Sequence, residues 1–173
     1  MLKERLDGAL RMAESVLSYR VCASVYPAAA RDDLLDLGFV CLQSRHLHKN
    51  LDGCEKIILF AATTGLGIDR LIASQARISP ADALCLDAIG SERAESLCNA
   101  FQEDMRRRAA EEGLLLKPRF SPGFGDVPLS LQREIFAALD PARAIGLTLR
   151  DDMIMVPTKS VTALMGLYRK TKD

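Results

Sequence analysis

At 173 residues, the chain is long enough for one domain spanning residues 1–173 with a core of its own. Its hydrophobic fraction of 49% and charged fraction of 27% are typical of globular proteins and exclude disordered, collagen-like and coiled-coil chains. The 23 Lys and Arg residues balance the 23 Asp and Glu residues, so no net charge favours nucleic acid or anionic lipid as a partner.

The first residues and the hydropathy pattern predict a cytoplasmic protein. Residues 1–11 mix basic and acidic side chains and lack the apolar run of a signal peptide. No stretch reaches the roughly 18 consecutive apolar residues that a membrane-spanning helix needs. We therefore expect no membrane partner.

Two helices are predicted in the N-terminal part of the chain. Apolar residues at helical spacing predict an amphipathic helix over Ala9–Tyr19. A second, short helix is expected after Pro27, passing through Leu34 and Leu37 and ending near Gly38.

A capped helix, a strand and a turn follow. Ser44 can cap a helix that ends at Gly53, because a hydroxyl accepts from an unpaired amide and glycine tolerates a left-handed exit. The apolar run Lys56–Thr63 predicts a buried strand. Thr63–Gly67 is interpreted as a strand-to-helix turn rather than a nucleotide loop, because Arg70 replaces the third glycine of the dinucleotide fingerprint.

A long helix is predicted next. Ser79 can cap it and Pro80 suits its first turn, and the helical pattern continues to Gly113 with a break expected near Gly90. The basic run Arg106–Arg108 is interpreted as a solvated helix face rather than a binding patch. Acidic residues bracket it: Glu103, Asp104, Glu111 and Glu112.

The C-terminal part predicts strands joined by short connections. The glycine-proline loop Ser121–Asp126 precedes a helix over Ser130–Leu139. Strands are expected over Leu114–Phe120, Gly146–Leu149, Met153–Val156 and Ser160–Tyr168. Strands joined by short turns pair antiparallel, so we predict an α+β fold with a largely antiparallel sheet flanked by helices.

The cysteines and histidines give no clear metal or disulfide pattern. The cysteines are odd in number and form no CxxC pair: Cys22, Cys41, Cys54, Cys85 and Cys98. A metal site could combine His46 and His48 with Cys41 or Cys54, but on a helix the two rings would point about 200° apart. We interpret these residues as structural or solvent-facing.

Arg119 to Gly125, read RFSPGFG, is the candidate functional loop. A permanently charged arginine at its entrance can bind a carboxylate through two parallel hydrogen bonds. The alternative is an arginine at a strand end followed by an ordinary Pro-Gly turn. No HExxH or Gly-x-Ser-x-Gly catalytic motif is present in the sequence.

This loop resembles the Arg-x-x-x-Gly-Tyr motif of the reactivation domain of cobalamin-dependent methionine synthase. Met155–Ala163 is similar to the same family's Met-x-Pro-x-x-Ser-Val-Ser-Gly stretch, and the two matches occur in the family's order. The resemblance covers residues 114–168, and a weaker similarity reaches the helix with Ala94 and Glu95. The chain resembles a separately encoded form of that domain.

The resemblance implies a methionine synthase activation-like fold and a ligand, S-adenosylmethionine. Arg119 would bind the ligand's carboxylate, and Ser121 and Gly123 would offer backbone hydrogen bonds. Phe124 stands where the family usually has tyrosine, and Asp151–Asp152 stands where it often has Glu-Ser.

The resemblance also implies partners. In the family, S-adenosylmethionine methylates cobalamin that has oxidised from cobalt(I) to cobalt(II), after a flavodoxin- or ferredoxin-type donor supplies an electron. This sequence lacks the Asp-x-His-x-x-Gly motif that ligates cobalt, so cobalamin would come with a methionine synthase or other corrinoid protein.

Three hypotheses remain open. The first is an accessory module for reductive methylation, acting as one part of a two-component methyltransferase system. The second is a non-enzymatic adaptor that docks on a corrinoid protein without binding S-adenosylmethionine. The third is a small-molecule-binding protein unrelated to cobalamin.

Overall fold

The computed structural model describes residues 2–31 and 34–169, in which helices flank antiparallel sheets. The elements in chain order are α1 (Leu2–Glu14), β1 (Arg20–Pro27), β2 (Ala29–Arg31), β3 (Leu34–Asp36), β4 (Cys41–Gln43), α2 (Arg45–Asn50), β5 (Lys56–Thr63), α3 (Leu66–Gln75), α4 (Pro80–Glu111), β6 (Leu114–Leu116), α5 (Gln132–Leu139), α6 (Pro141–Ile145), β7 (Thr148–Leu149), β8 (Met155–Val156) and β9 (Ser160–Arg169). A single 3₁₀ turn, Leu129–Leu131, leads into α5.

The principal sheet has the strand order β1-β5-β9-β6, with every neighbouring pair antiparallel. The central strand β5 is buried at every residue except Lys56, which explains its continuous apolar sequence. Two small antiparallel sheets, β2-β3-β4 and β7-β8, complete the fold. The predicted α+β fold with a largely antiparallel sheet is therefore confirmed.

The two faces of the principal sheet bury different helices. On one face, Phe60 and Met165 pack with Cys98 of α4. On the other face, Leu59 and Leu164 pack with Ile135 of α5. Side chains alternate between the faces along each strand, so neighbouring residues of β9 contribute to opposite cores. A separate cluster joins α1 and α3 to α4 through Ala9, Ala13, Ile68, Leu86 and Ile89.

The predicted helix starts are confirmed by their caps. The Ser44 hydroxyl accepts from the Leu47 amide at 3.0 Å, and Ser79 caps α4 with Pro80 in the first turn. Arg106 to Arg108 form ion pairs with Glu103 and Asp104 on the same helix, as expected for a solvated face.

Two predictions for the N-terminal part are wrong. The residues after Pro27 form β2 and β3 instead of a helix, because Leu35 and Leu37 are buried while Leu34 and Asp36 are exposed, an alternation typical of a strand. Residues 32 and 33, within that predicted helix, lie outside the described residues. The first helix also ends at Glu14 instead of continuing to Tyr19, and β1 follows.

The expected break in α4 is absent, since the helix runs without interruption from Pro80 to Glu111. A Cβ at Gly90 would lie 3.1 Å from Lys159 Cγ and 3.2 Å from Ile68 Cγ1. Gly90 therefore allows close packing against a helix and a loop, and it does not end the helix.

Within residues 2–31 and 34–169, no helix is long and apolar enough to cross a membrane. The same residues contain no cluster of three or more His, Cys, Asp or Glu side chains suited to holding a metal ion. All five cysteines are free thiols.

Candidate functional site

A cleft of about 580 Å³ brings together the two sequence stretches singled out above. The loop after β6 contributes Arg119, Phe120, Ser121, Pro122 and Phe124. Strand β9 contributes Ser160, Val161 and Thr162, while Glu95 comes from α4, Gln132 from α5 and Met155 from β8. Residues far apart in sequence thus surround one space.

The cleft lies beside β9, at the end of that strand where β6 no longer pairs with it. Strand β6 ends at Leu116, and the Lys117 amide that follows donates to the Gly166 carbonyl of β9 at 2.8 Å. Further along, Phe120 and Leu164 form a bridge in which they exchange backbone hydrogen bonds of 2.8 and 2.9 Å. No described strand pairs with the outer edge of β9 over residues 160–163. Thr162, two residues before Leu164, directs its backbone amide and carbonyl to that same open edge.

Arg119 is fixed by one face of α4. Its guanidinium donates to Asn99 Oδ1 at 2.7 Å and to Gln102 Oε1 at 3.3 Å, and it forms an ion pair with Glu95. The Arg119 side chain is 21% exposed, whereas that of Glu95 is 61% exposed. A fixed cation and an accessible carboxylate therefore stand side by side in the cleft wall.

Cys98 lies on the same helix, in the core beside this ion pair. The residue is 0% exposed, and burial raises the pKa of its thiol to about 11, with the Glu95 charge adding to the rise and the Arg119 charge opposing it. The thiol is therefore protonated at neutral pH.

The candidate loop is anchored at its far end by Asp126. The carboxylate accepts from the Ser44 hydroxyl, from the Arg45 amide at 2.7 Å and from the His46 amide at 3.3 Å. These bonds, led by that from Ser44, lower the pKa of Asp126. The loop is thereby tied to the first turn of α2.

We expect Asp126→Asn to destabilise the protein at neutral pH, because the amide cannot match a carboxylate as an acceptor. A carboxyl with a lowered pKa stabilises the fold above its unfolded-state value of about 3.9, and this contribution is lost as the pH falls through the lowered pKa. The free energy of unfolding is measured by urea denaturation at a series of pH values from 7 to 2. The difference between wild type and variant should become smaller below about pH 4 and then disappear. A gap of constant size would contradict this role, and the exposed Asp52→Asn is the matched control.

The segment that leads into β9 is held by polar contacts to α3 and α4. The Thr158 amide and hydroxyl donate to Asp69 at 2.7 and 2.8 Å. Lys159, whose side chain is 13% exposed, donates to Asp87 at 2.8 Å and to Ser91 at 3.0 Å. These contacts fix the position of the residues from β9 that line the cleft.

The predicted site residues lie together, and their roles stay predictions. Arg119, Ser121 and Phe124 line the cleft. Gly123 shapes the turn instead, with a φ of +86° and an amide that donates to the Val127 carbonyl at 3.0 Å. The Asp151–Asp152 pair lies outside this cleft, in the turn between β7 and β8.

Sequence reasoning missed three polar residues of the site, Asn99, Gln102 and Gln132, and gave no role to Thr162, which lies in the Met155–Ala163 stretch. Asn99 and Gln102 share a helix face with Glu95, and their spacing of four and seven residues from Glu95 was the available signal. Gln132 and Thr162 are 6% and 2% exposed, and neither Gln132 Oε1 nor Thr162 Oγ1 has a hydrogen-bond partner. Nothing in the local sequence marks Gln132.

Phe124→Tyr should leave the fold unchanged and keep or strengthen ligand binding. Phe124 is 68% exposed at the cleft, so an added hydroxyl meets solvent or ligand rather than the core. One new hydrogen bond to a ligand would contribute about 1 kcal/mol. Thermal unfolding and calorimetric titration of the variant check both parts, and a large loss of thermal stability would contradict the exposed position.

No family model matches the sequence, and no curated protein matches it. Among solved structures, the chain is similar to the crystal structure of the MetH reactivation domain bound to AdoHcy. The TM-score is 0.74 with 17% sequence identity, over 99% of this chain and 67% of that chain. At this identity the likeness shows the fold, and the chain has the fold of that reactivation domain.

Proposed function

We propose that this chain binds S-adenosylmethionine in the cleft and serves as an accessory module for the reductive methylation of oxidised cobalamin in a partner methionine synthase or related corrinoid protein. The observation that carries the proposal is the meeting of Arg119, Glu95 and the start of β9 around one cleft. The fold supports it, since the similar MetH domain was solved with AdoHcy.

The charges of the cleft fit the amino-acid end of the ligand. Arg119 can share its guanidinium with a carboxylate, and the exposed Glu95 carboxylate can accept from an ammonium group. An α-amino acid carries both groups on one carbon, so a neighbouring Arg–Glu pair matches its two charges.

The size and walls of the cleft fit the rest of the ligand. A volume of about 580 Å³ lies within the range of small-molecule sites, which is roughly 300–1,000 Å³. Phe120, Phe124, Met155 and Val161 give an apolar lining that can pack against a sulfonium and its neighbouring carbons.

In the proposed role the protein contributes positioning. Bound S-adenosylmethionine supplies an activated methyl group on a positively charged sulfur. Arg119 and Glu95 hold the amino-acid end in place, and the apolar walls keep water away, so the methyl group is presented in one orientation. Cobalamin stays on the partner protein, and a flavodoxin- or ferredoxin-type protein supplies the electron.

The chain should restore an oxidised methionine synthase that lacks this domain only when S-adenosylmethionine and a reductant are both present. The reason is that positioning a methyl donor is useless without an electron for cobalt, and an electron alone leaves no methyl group to trap the reduced metal. The absorbance of methylcobalamin measures the reaction, with each component omitted in turn. Equal rates with and without the chain would exclude the reactivation role.

One observation favours the adaptor as a second candidate. The Arg119 guanidinium already contacts three side chains of α4, so a ligand carboxylate must share or displace at least one of them. An adaptor would bind the corrinoid protein with the same affinity whether or not S-adenosylmethionine is present, and it would add no rate.

A further inference from the structure

Gln132 and Thr162 both line the cleft, and each carries a buried side-chain oxygen without a hydrogen-bond partner. Gln132 opens α5 and Thr162 lies on β9, so two separate elements supply them. Among the described residues, four side-chain polar atoms are buried without a hydrogen-bond partner, and Gln132 Oε1 and Thr162 Oγ1 are two of these. The other two belong to Asn50 and Arg93, which do not line this cleft.

A buried oxygen without a partner lowers stability, and native proteins pair most such atoms. Two of them in one cleft are therefore costly to the free protein. A ligand that donates a hydrogen bond to each oxygen would offset this cost.

The two residues lie apart from the charged pair. Thr162 shares the sheet face of Leu164, which packs with α5, whereas Glu95 belongs to α4 on the opposite face. The α5 side of the cleft thus offers neutral hydrogen-bonding groups, and the α4 side offers charges.

Their chemistry matches a nucleoside. Gln132 Oε1 needs a donor, which a sulfonium and its methyl group lack, while a base amine or a ribose hydroxyl has one. A glutamine amide can also bind an adenine edge through two hydrogen bonds. The open edge of β9 adds the backbone amide and carbonyl of Thr162 to the same region.

We propose that Gln132 and Thr162 form a subsite for the nucleoside part of the ligand and determine the preference for an adenosyl group. This inference rests on the proposed function, because it takes the amino-acid end of the same ligand to lie at Arg119 and Glu95.

The test uses the full chain with two apolar variants of similar shape, Gln132→Met and Thr162→Val. Two ligands are titrated by calorimetry: S-adenosylhomocysteine, and methylthioadenosine, which keeps the nucleoside but has no amino-acid end. Each variant should bind both ligands about ten-fold more weakly than wild type, the loss of one buried hydrogen bond. Arg119→Ala should weaken only S-adenosylhomocysteine binding. The exposed Gln43→Met, outside the cleft, is the matched control.

Thermal unfolding without ligand gives a second, independent measurement. Both variants should keep or raise the Tm of the free protein, because each removes an unpaired buried oxygen. Lower affinity together with a higher or equal Tm supports a ligand subsite, while a fall in both would assign the residues to the fold alone. If wild type binds both ligands and the variants bind them equally well, the subsite is wrong and the proposed function stands. If wild type binds neither ligand, both proposals fail.

Discussion

Arg119→Ala is expected to weaken the binding of S-adenosylmethionine by about 1.5 to 3 kcal/mol, the range for a hydrogen bond to a charged group. The variant removes the cation that would hold the ligand's carboxylate, and it leaves the carboxylate of Glu95 without its arginine partner. A calorimetric titration of each protein with S-adenosylmethionine measures the difference in binding free energy.

Two further variants complete this test: one is a control, and the other shows whether the geometry of Arg119 matters in addition to its charge. Arg143→Ala is the matched control, because Arg143 is 88% exposed, pairs with Asp140 and lies outside the cleft. Arg119→Lys keeps the charge but loses the planar group that contacts three side chains of α4 at once, so it should recover only part of the affinity. Unchanged affinity in Arg119→Ala would remove this residue from the binding site.

Gly67→Ala is expected to lower the free energy of unfolding by about 1 to 3 kcal/mol, as overpacking typically does. A Cβ at this position in α3 would lie 2.3 Å from the Val16 carbonyl oxygen and 3.0 Å from Val16 Cβ. The first of these is a backbone atom, so no side-chain rotation relieves the contact and the segment after α1 must move. Urea denaturation followed by circular dichroism measures the loss.

Gly8→Ala is the matched control for that substitution. Gly8 lies within α1, and a Cβ there would meet nothing within 4 Å. Alanine is favoured over glycine inside a helix by about 1 kcal/mol, so this variant should be more stable than wild type. If Gly67→Ala and Gly8→Ala change the free energy of unfolding in the same direction, close packing against Val16 does not explain the glycine at position 67.

The central elements of the fold were predictable from local signals. The apolar run of β5 and the Ser79–Pro80 start of α4 act over a few residues, and the structure has both elements where the sequence places them. Strand β1 carried a weaker signal, because it is an edge strand and most of its residues are exposed. The break expected at Gly90 is absent because this glycine allows close packing against Lys159 and Ile68. Both residues are distant in sequence, so the local pattern does not reveal them.

The candidate site was predictable in its loop and less so in its surroundings. Arg119 is marked by the glycine-proline turn that follows it, and the residues that begin β9 are marked by their own motif. Gln132 has no such mark, and the motif that contains Thr162 does not reveal that its hydroxyl lacks a partner, because an unpaired buried oxygen exists only after α5 and β9 have packed. Burial of polar atoms depends on tertiary structure, and one sequence does not reveal it.

The burial of Cys98 determines whether its thiol can be methylated. If S-adenosylmethionine binds in the cleft as proposed, its sulfonium methyl group could alkylate a thiolate beside the Arg119–Glu95 pair, and a reactive cysteine there would compete with cobalt for that methyl group. With a pKa of about 11, only roughly one Cys98 thiol in ten thousand is ionised at pH 7, and the side chain is closed off by the core. In the proposed role, Cys98 would therefore stay unmethylated even with the methyl donor bound nearby.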